Sequence, residues 1–183
     1  LRFKKNTRTI CSSNSRGDLN EYKKIKGKFM NNKFMKRSIE LARISIDSKG
    51  GPFGALITRK DEIISEGMNR VTVNNDPTAH AEIVAIREAA KKLNTFKLDQ
   101  CVLWTSCLPC PGCYSFAFWA RISKIYYACT HKDAAAIDFD DSLIYSEFTK
   151  KIEDRRIPMT QIMQKEGVEA FKYWDQKVDK IKY

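Results

Sequence analysis

Four residues in two short stretches of this chain have side chains that can bind a metal and move a proton. His80 and Glu82 stand two residues apart, and Cys110 and Cys113 follow in the run Pro-Cys-Pro-Gly-Cys. Zinc accepts one imidazole and two thiolates, and three protein ligands leave its fourth position open for water. A nearby carboxylate can then take and return a proton. The spacing predicts a catalytic zinc site with ligands His80, Cys110 and Cys113 and with Glu82 as proton carrier.

The predicted secondary structure places these side chains at helix starts. Residues Ala79–Leu93 have strong helix propensity, so His80 and Glu82 are expected in the first turn. A second helix is predicted over Cys110–Arg121. Its two cysteines, three residues apart, lie on one face at the helix start, where backbone N–H groups and the helix dipole favour thiolate.

A structural zinc site is the alternative interpretation. Cys107 would then join the other three ligands in a closed Cys3His set, which needs no open position. Two features favour the catalytic interpretation. Cys107 falls at the end of the preceding predicted strand and is separated from Cys110 by the stiff Pro109, and a purely structural site has no use for Glu82.

The chemistry expected of such a site is hydrolytic deamination. Zinc lowers the pKa of a bound water to about 7, so that hydroxide is available at neutral pH. Glu82 would take the proton of that water and deliver it to a substrate nitrogen. His-x-Glu together with Pro-Cys-x-x-Cys is the signature of zinc-dependent deaminases of bases and nucleosides.

The remaining pattern predicts one α/β domain whose central sheet is covered by helices on both faces. A helix begins at Asn32 and ends at Gly50-Gly51, and further helices are expected over Asp141–Phe148 and Val168–Lys180. Gly54 suggests close approach by a ligand or another backbone. About five strands are predicted in a mixed sheet: Pro52–Thr58, Ile63–Val71, Cys101–Thr105, Lys124–Cys129 and Met159–Gln164.

Positive charge is concentrated at the start of the 183-residue chain. Residues 1–37 contain twelve Lys or Arg and two acidic residues, which gives +10 of the total +11. We expect residues 1–29 to form a basic, disordered extension and residues 30–183 the catalytic domain. A basic arm can bind nucleic acid, but a solvated tail is the commoner explanation, and the nearly neutral remainder argues against a nucleic-acid partner.

The cysteines and the hydropathy indicate a chain that works in the cytoplasm. Three of the six cysteines cluster at 107, 110 and 113, which is typical of metal binding in a reducing compartment. No apolar run has the roughly 18 residues of a membrane span. The Ser and Arg bias of the first residues is also found in organelle transit peptides, although Asp18 and Glu21 are unusual there.

The chain resembles the cytidine deaminase superfamily from about Met30 to Tyr183, and within it the small guanine deaminases. The motifs that carry the resemblance are Gly51-Pro52-Phe53-Gly54-Ala55, Asn69, Asn75-Asp76-Pro77-Thr78-Ala79-His80-Ala81-Glu82, Pro109-Cys110-Pro111-Gly112-Cys113, Trp119-Ala120-Arg121 and Phe139-Asp140-Asp141-Ser142. The resemblance implies a three-layer α/β/α sandwich with one zinc ion per subunit. It also implies a homodimer whose C-terminal segment covers an active site, its own or that of the partner.

The activity implied by the resemblance is conversion of guanine and water to xanthine and ammonia, a reaction of purine metabolism. Asp141 would accept hydrogen bonds from the purine and help protonate the leaving ammonia, since guanine presents N–H donors. The substrate-binding set implied is Asn69, Phe53, Ala81, Trp119 and Tyr183.

Each of these residues also has an ordinary structural explanation. Asp141 could cap the following helix, and Asn69 could be a turn residue at a strand end. Phe53 and Trp119 could be core aromatics, and Tyr183 could be a frayed terminus.

The chain departs from the family at two positions beside the metal motif. Leu108 stands where the family usually has Glu, and Gly112 where Met is common. Two other functions remain as alternatives: a tRNA adenosine or cytosine deaminase, and a zinc fold without catalysis that binds nucleic acid through its basic arm.

Overall fold

The structure is a computed structural model that describes residues 32–182. Contacts divide the chain into Leu1–Lys33 and Phe34–Tyr183, and the fold described below is that of the second unit, whose first helix begins just before it. The predicted basic extension and Tyr183 lie outside the described residues.

Four strands form one mixed sheet in the described residues. The strands are β1 (Gly54–Arg59), β2 (Glu62–Met68), β3 (Cys101–Cys107) and β4 (Lys124–Cys129), in the order β2-β1-β3-β4. β1 pairs antiparallel with β2 and β3, whereas β3 pairs parallel with β4. The carboxyl ends of β3 and β4 therefore meet at one edge, where Cys107 is paired with Cys129.

Helices cover both faces of the sheet and give the predicted three layers. Helix α1 (residues 32–47) lies on one face, where Phe34 packs on Trp104 with ring centroids 5.3 Å apart. A Cβ at Gly54 would overlap the α1 backbone near Ser38 and Ala42, so the close approach expected there is made by a helix and not by a ligand.

The opposite face carries α3 (Ala81–Leu93) and α4 (Pro111–Trp119). Alternate residues of β1, Ala55 and Ile57, point into the main apolar core against these helices. The shared core residues are Ala81, Ala85, Ile86, Ala89, Leu98, Cys101, Leu103, Ala117 and Ala120. Gly67 brings β2 and α3 into close contact, because a Cβ there would lie 2.6 Å from the Ala85 amide nitrogen.

The other helices are short α2 (Val71–Asn74) and α5 (His131–Ala135), then α6 (Ser142–Thr149) and α7 (Gln164–Gln176). α2 and α5 were not expected from the sequence. The predicted edge strand Met159–Gln164 is wrong, because residues 159–163 are irregular and Gln164 begins α7. Without that strand, the described sheet has four strands and not the five expected.

No helix among residues 32–182 is both long and apolar enough to span a membrane.

Candidate metal centre and active site

Three of the predicted residues come together as a group able to bind a metal. Their ligand atoms all lie within 4.8 Å of one another. Nδ1 of His80 is 3.7 Å from Sγ of Cys110 and 3.4 Å from Sγ of Cys113. In a tetrahedral zinc site, Zn–S and Zn–N bonds of about 2.3 and 2.0 Å place such atoms about 3.5–3.8 Å apart. The arrangement therefore fits one zinc ion.

Helix starts hold all three side chains, as predicted. His80 is the N-cap of α3 and Cys110 is the N-cap of α4, followed by Pro111 at the first helical position. Sγ of Cys110 accepts a hydrogen bond from the backbone N–H of Cys113 at 3.5 Å. Cys113 is completely buried, while His80 and Cys110 are half-buried toward the cavity.

The thiols of the two cysteines differ in protonation in the metal-free protein. Hydrogen bonding from Cys113, assisted by His80, lowers the pKa of the Cys110 thiol well below its usual value. The same contact, together with burial, raises the pKa of Cys113. Contact with Cys110 raises the pKa of His80 as well. Metal binding must therefore displace protons from this group, which ties zinc affinity to pH.

Cys107 does not belong to the metal-binding group. Its Sγ faces the carbonyl oxygen of Thr130 at 3.6 Å, and burial raises the pKa of its thiol to about 11. A thiol with that pKa stays protonated at neutral pH. The group is thus His-Cys-Cys, and the closed Cys3His alternative does not match the geometry.

Glu82 lies beside the metal-binding group with its carboxylate buried. One oxygen accepts a hydrogen bond from Oγ1 of Thr105 at 3.0 Å, and the other is 3.4 Å from Sγ of Cys113. Burial is the main cause that raises the pKa of Glu82. The sequence analysis missed Thr105, although a polar Thr-Ser pair at the end of an otherwise apolar strand could have indicated it.

A cavity of about 400 Å³ opens at the metal-binding group. Five of the residues singled out from the sequence for catalysis, metal binding or substrate binding line it in addition to Cys110: Phe53, Asn69, His80, Glu82 and Asp141. Leu108 also lines it, so the position where the family usually has Glu presents an apolar wall. Gly112 is not among the lining residues, and a Cβ there would lie 3.8 Å from Sγ of Cys110.

Asn69 is fixed by backbone donors and is not simply a turn residue. Its Oδ1 accepts hydrogen bonds from the N–H groups of Gly51 at 3.2 Å and Val71 at 3.3 Å. With the oxygen so engaged, the amide NH2 remains as the donor end of the side chain. Phe53 packs edge-on against Phe139 with ring centroids 5.0 Å apart, which forms an aromatic wall of the cavity.

Asp141 precedes α6 but its side chain makes no capping hydrogen bond. Its Oδ1 instead lies 3.0 Å from Nδ1 of His131. Burial is the main cause that raises the pKa of Asp141, and the neighbouring His131 opposes that rise. The sequence analysis missed His131, which also lines the cavity. The run Thr130–Asp133, a helix-capping pattern, could have indicated the short helix that carries it.

Two substrate-binding predictions do not fall within the cavity of this chain. Trp119 is 57% exposed at the end of α4 and faces an apolar groove with Phe96, Phe116 and Ile181. The pocket-wall prediction for Trp119 is therefore wrong within a single chain, because α4 carries it away from the metal-binding end. Ala81 is fully buried at the first position of α3, and its side chain does not line the cavity.

The fold and the site together define a zinc-dependent hydrolase. Residues 30–129 match the family of the cytidine and deoxycytidylate deaminase zinc-binding region, and the chain belongs to that family. It is 47% identical to guanine deaminase of Bacillus subtilis over 151 residues, which cover 82% of this chain and 97% of the relative.

Solved structures and a second group of relatives place this similarity in context. The X-ray structure of the Bacillus subtilis guanine deaminase superposes with a TM-score of 0.81 at 46% identity, covering 83% of this chain and 98% of that one. Guanine deaminase of Nitrosomonas europaea gives a TM-score of 0.57 at 30% identity, covering 75% and 70%. A tRNA-specific adenosine deaminase of Buchnera aphidicola is 39% identical over 100 residues, 55% of this chain and 62% of the relative.

Proposed function

We propose that the protein converts guanine and water to xanthine and ammonia. The observation that carries the proposal is one cavity that joins the His-Cys-Cys group and Glu82 to the hydrogen-bonding side chains of Asn69 and Asp141. In the reaction a C2–O bond forms and the C2–N bond to the 2-amino group breaks.

The extent of the similarity supports guanine over an adenosine in tRNA. The guanine deaminase relative matches over 97% of its length, whereas the tRNA-specific adenosine deaminase matches over 62% of its own. Asp141 lies beyond residues 30–129, the region that the family shares. The part of the cavity wall that this carboxylate provides therefore supports a more specific function than the common core does.

Proton transfer is assigned to Glu82. A zinc ion held by His80, Cys110 and Cys113 would supply Lewis-acid activation of water. Glu82 takes a proton on a carboxylate oxygen beside the metal-binding group and returns it to the substrate ring or leaving nitrogen. Burial raises its pKa, which favours holding that proton between the two steps, and the Thr105 hydroxyl fixes the carboxylate plane.

Substrate recognition is assigned to the opposite wall of the cavity. The Asn69 amide donates to an acceptor of the purine, and Asp141 accepts from N–H donors and protonates the departing ammonia. The Phe53 ring packs against the base. We propose that Ala81 contributes its backbone N–H, since the first-turn amides of a helix have no partner within that helix. Tyr183 stays a prediction as the residue that closes the cavity.

We further propose a homodimer in which a second copy covers the apolar surface around Trp119. Exposed aromatic residues on α4 support this: Phe116 is 51% and Phe118 71% exposed. The C-terminal helix α7 likewise carries Phe171, 76% exposed, and Tyr173, 72% exposed. Large apolar side chains left open on two faces are typical of an interface between copies.

Sedimentation velocity of the full chain tests the dimer, and mixed subunits test whether the C-terminal segment crosses over. A chain ending at residue 163 is co-expressed with a full-length Glu82→Gln chain. Recovered guanine turnover in mixed dimers is expected if α7 and Tyr183 close the partner's site. A monomer in sedimentation contradicts the dimer, and two inactive parents that stay inactive together contradict the exchange.

Residues 30–183 are proposed as the catalytic domain, and residues 1–29 as an extension that catalysis does not need. Deleting residues 1–28 should leave guanine turnover nearly unchanged, and a large loss of activity would contradict this. A cytoplasmic location is proposed because the metal-binding Cys110 and Cys113 must stay reduced. A fluorescent fusion of the full chain, followed in cells, checks that location.

Ammonia release from a panel of substrates tests the proposed function. The purified protein is incubated separately with guanine, cytosine and a tRNA substrate, with the Glu82→Gln variant as control. Release from guanine alone, lost in the variant, is expected. Turnover of cytosine or tRNA without turnover of guanine contradicts the proposal, and no turnover of any of them, together with RNA binding, favours the zinc fold without catalysis.

A further inference from the structure

A histidine that lies outside the zinc motif holds the carboxylate assigned to substrate recognition. Nδ1 of His131 is 3.0 Å from Oδ1 of Asp141, and both residues line the cavity. The Asp141 side chain is only 17% exposed and caps no helix. Its one close charged or polar side-chain contact among the described residues is therefore with His131.

The His131 ring is itself fixed from behind. Thr130 and Asp133 form a reciprocal capping box at the start of α5, which sets the backbone at His131 directly after β4. Tyr145 packs edge-on against the imidazole with ring centroids 4.9 Å apart. Its Oη lies 2.9 Å from Nε2 of His131 and 3.4 Å from the carbonyl oxygen of Pro109. Both ring nitrogens thus have a polar neighbour.

These neighbours determine where the imidazole carries its hydrogen. A neutral ring that accepts at Nε2 from the Tyr145 hydroxyl must carry its hydrogen on Nδ1, which faces Asp141. A charged ring donates from both nitrogens, and the tyrosine hydroxyl can then turn to the Pro109 carbonyl. In either state Nδ1 presents an N–H to Oδ1 of Asp141.

We propose that His131, fixed by Tyr145, is a positioning residue that orients the Asp141 carboxylate, so that Oδ2 is left to accept from the N–H donors of the substrate. The inference rests on the proposed function, in which Asp141 contacts the base. The second torsion of an aspartate is otherwise broad, so a carboxylate without this contact would sample orientations that do not match the base. Recognition by Asp141 thus depends on His131, which makes no contact with the substrate itself.

Four variants test this role: His131→Ala, His131→Asn, Tyr145→Phe and, as a matched control, the exposed neighbour Lys132→Ala. Loss of one oriented hydrogen bond to a charged group predicts about a tenfold rise in KM for guanine in His131→Ala. The asparagine amide can present an N–H near the place of Nδ1, so His131→Asn should recover most of the loss. Tyr145→Phe should act in the same direction and more weakly, and Lys132→Ala should match the wild type.

Two further measurements separate positioning from a general structural role. The first is equilibrium binding of 8-azaguanine, which has the same N1–H and 2-amino edge as guanine, in a Glu82→Gln background without turnover. Affinity should fall with His131→Ala and return with His131→Asn. The second is a double-mutant cycle, in which adding His131→Ala to Asp141→Asn should cost little beyond the aspartate change alone.

Equal KM and equal 8-azaguanine affinity in His131→Ala and Lys132→Ala would overturn the positioning role while guanine turnover by the wild type leaves the proposed function intact. Additive losses in the cycle, or an asparagine variant no better than alanine, would overturn it as well. A wild-type protein that does not turn over guanine would instead remove the proposed function, and the inference with it.

Discussion

Replacing Thr105 with valine removes the hydroxyl that fixes Glu82 and leaves the shape of the side chain almost unchanged. Thr105 is completely buried, and its Oγ1 donates to Oε1 of Glu82 at 3.0 Å. A hydrogen bond to a charged group contributes about 1.5–3 kcal/mol. If about half of that is lost in the proton-transfer transition state, kcat falls about tenfold, since about 1.4 kcal/mol corresponds to one factor of ten.

The assay is ammonia release from guanine by Thr105→Val, with zinc content measured in the same samples. Thr105→Ser is the matched control, because it keeps the hydroxyl and loses only a methyl group, which costs about 1 kcal/mol of stability. We expect zinc content unchanged in both variants, kcat reduced only in Thr105→Val, and KM nearly unchanged, since Thr105 touches the proton carrier and not the base. Wild-type kcat in Thr105→Val, or a loss of zinc, would refute the role given to this contact.

Three further predictions follow from contacts elsewhere in the fold. Glu82→Gln should keep its zinc and lose turnover by at least about a hundredfold, because Glu82 moves protons and does not hold the metal; loss of zinc from this variant would show that its role is wrong. Gly67→Ala should destabilise the fold by about 1–3 kcal/mol in thermal unfolding, since its Cβ would lie 2.6 Å from the Ala85 amide nitrogen, whereas Gly167→Ala meets no atom within 4 Å and should unfold no more easily than the wild type. Arg37 donates to both carboxylate oxygens of Glu66, at 2.7 and 2.8 Å, and lowers the pKa of Glu66 from its ordinary value of 4.5. Because the pKa is lowered in the folded state, this contribution is present above pH 4.5 and is lost as the pH falls from there through the folded-state pKa. Glu66→Gln should therefore be less stable than the wild type by about 0.5–1 kcal/mol at pH 7, and the gap should close in acid; a gap that is constant with pH would contradict the ion pair.

The zinc motif could be predicted from the sequence because its geometry is local. His80 and Glu82 lie on one helix start, and Cys110 and Cys113 lie on another, so helix propensity and spacing alone determine which way each pair faces. Only the meeting of the two helix starts needed the fold. The parallel pairing of β3 with β4, joined by α4, brings the end of β3 next to that site.

Contacts between distant segments were not predictable in the same way. Pairing of His131 with Asp141 depends on the five-residue helix α5, which is too short to leave a periodic pattern. The apolar residues 159–163 looked like a strand, but a strand forms only where another strand offers an edge, and propensity does not report that. Trp119 fits an aromatic pocket by residue type, yet the direction of α4 points it at the surface around Phe116.

Guanine turnover before and after metal removal tests the central claim most directly. The purified full chain is assayed for xanthine and ammonia as prepared, after removal of zinc with a chelator, and after zinc is returned. The account predicts equimolar xanthine and ammonia from guanine, loss of both products without zinc, and recovery when one zinc ion per chain is restored at His80, Cys110 and Cys113. Guanine left unchanged by the zinc-loaded protein, or turnover that does not depend on zinc, would contradict it.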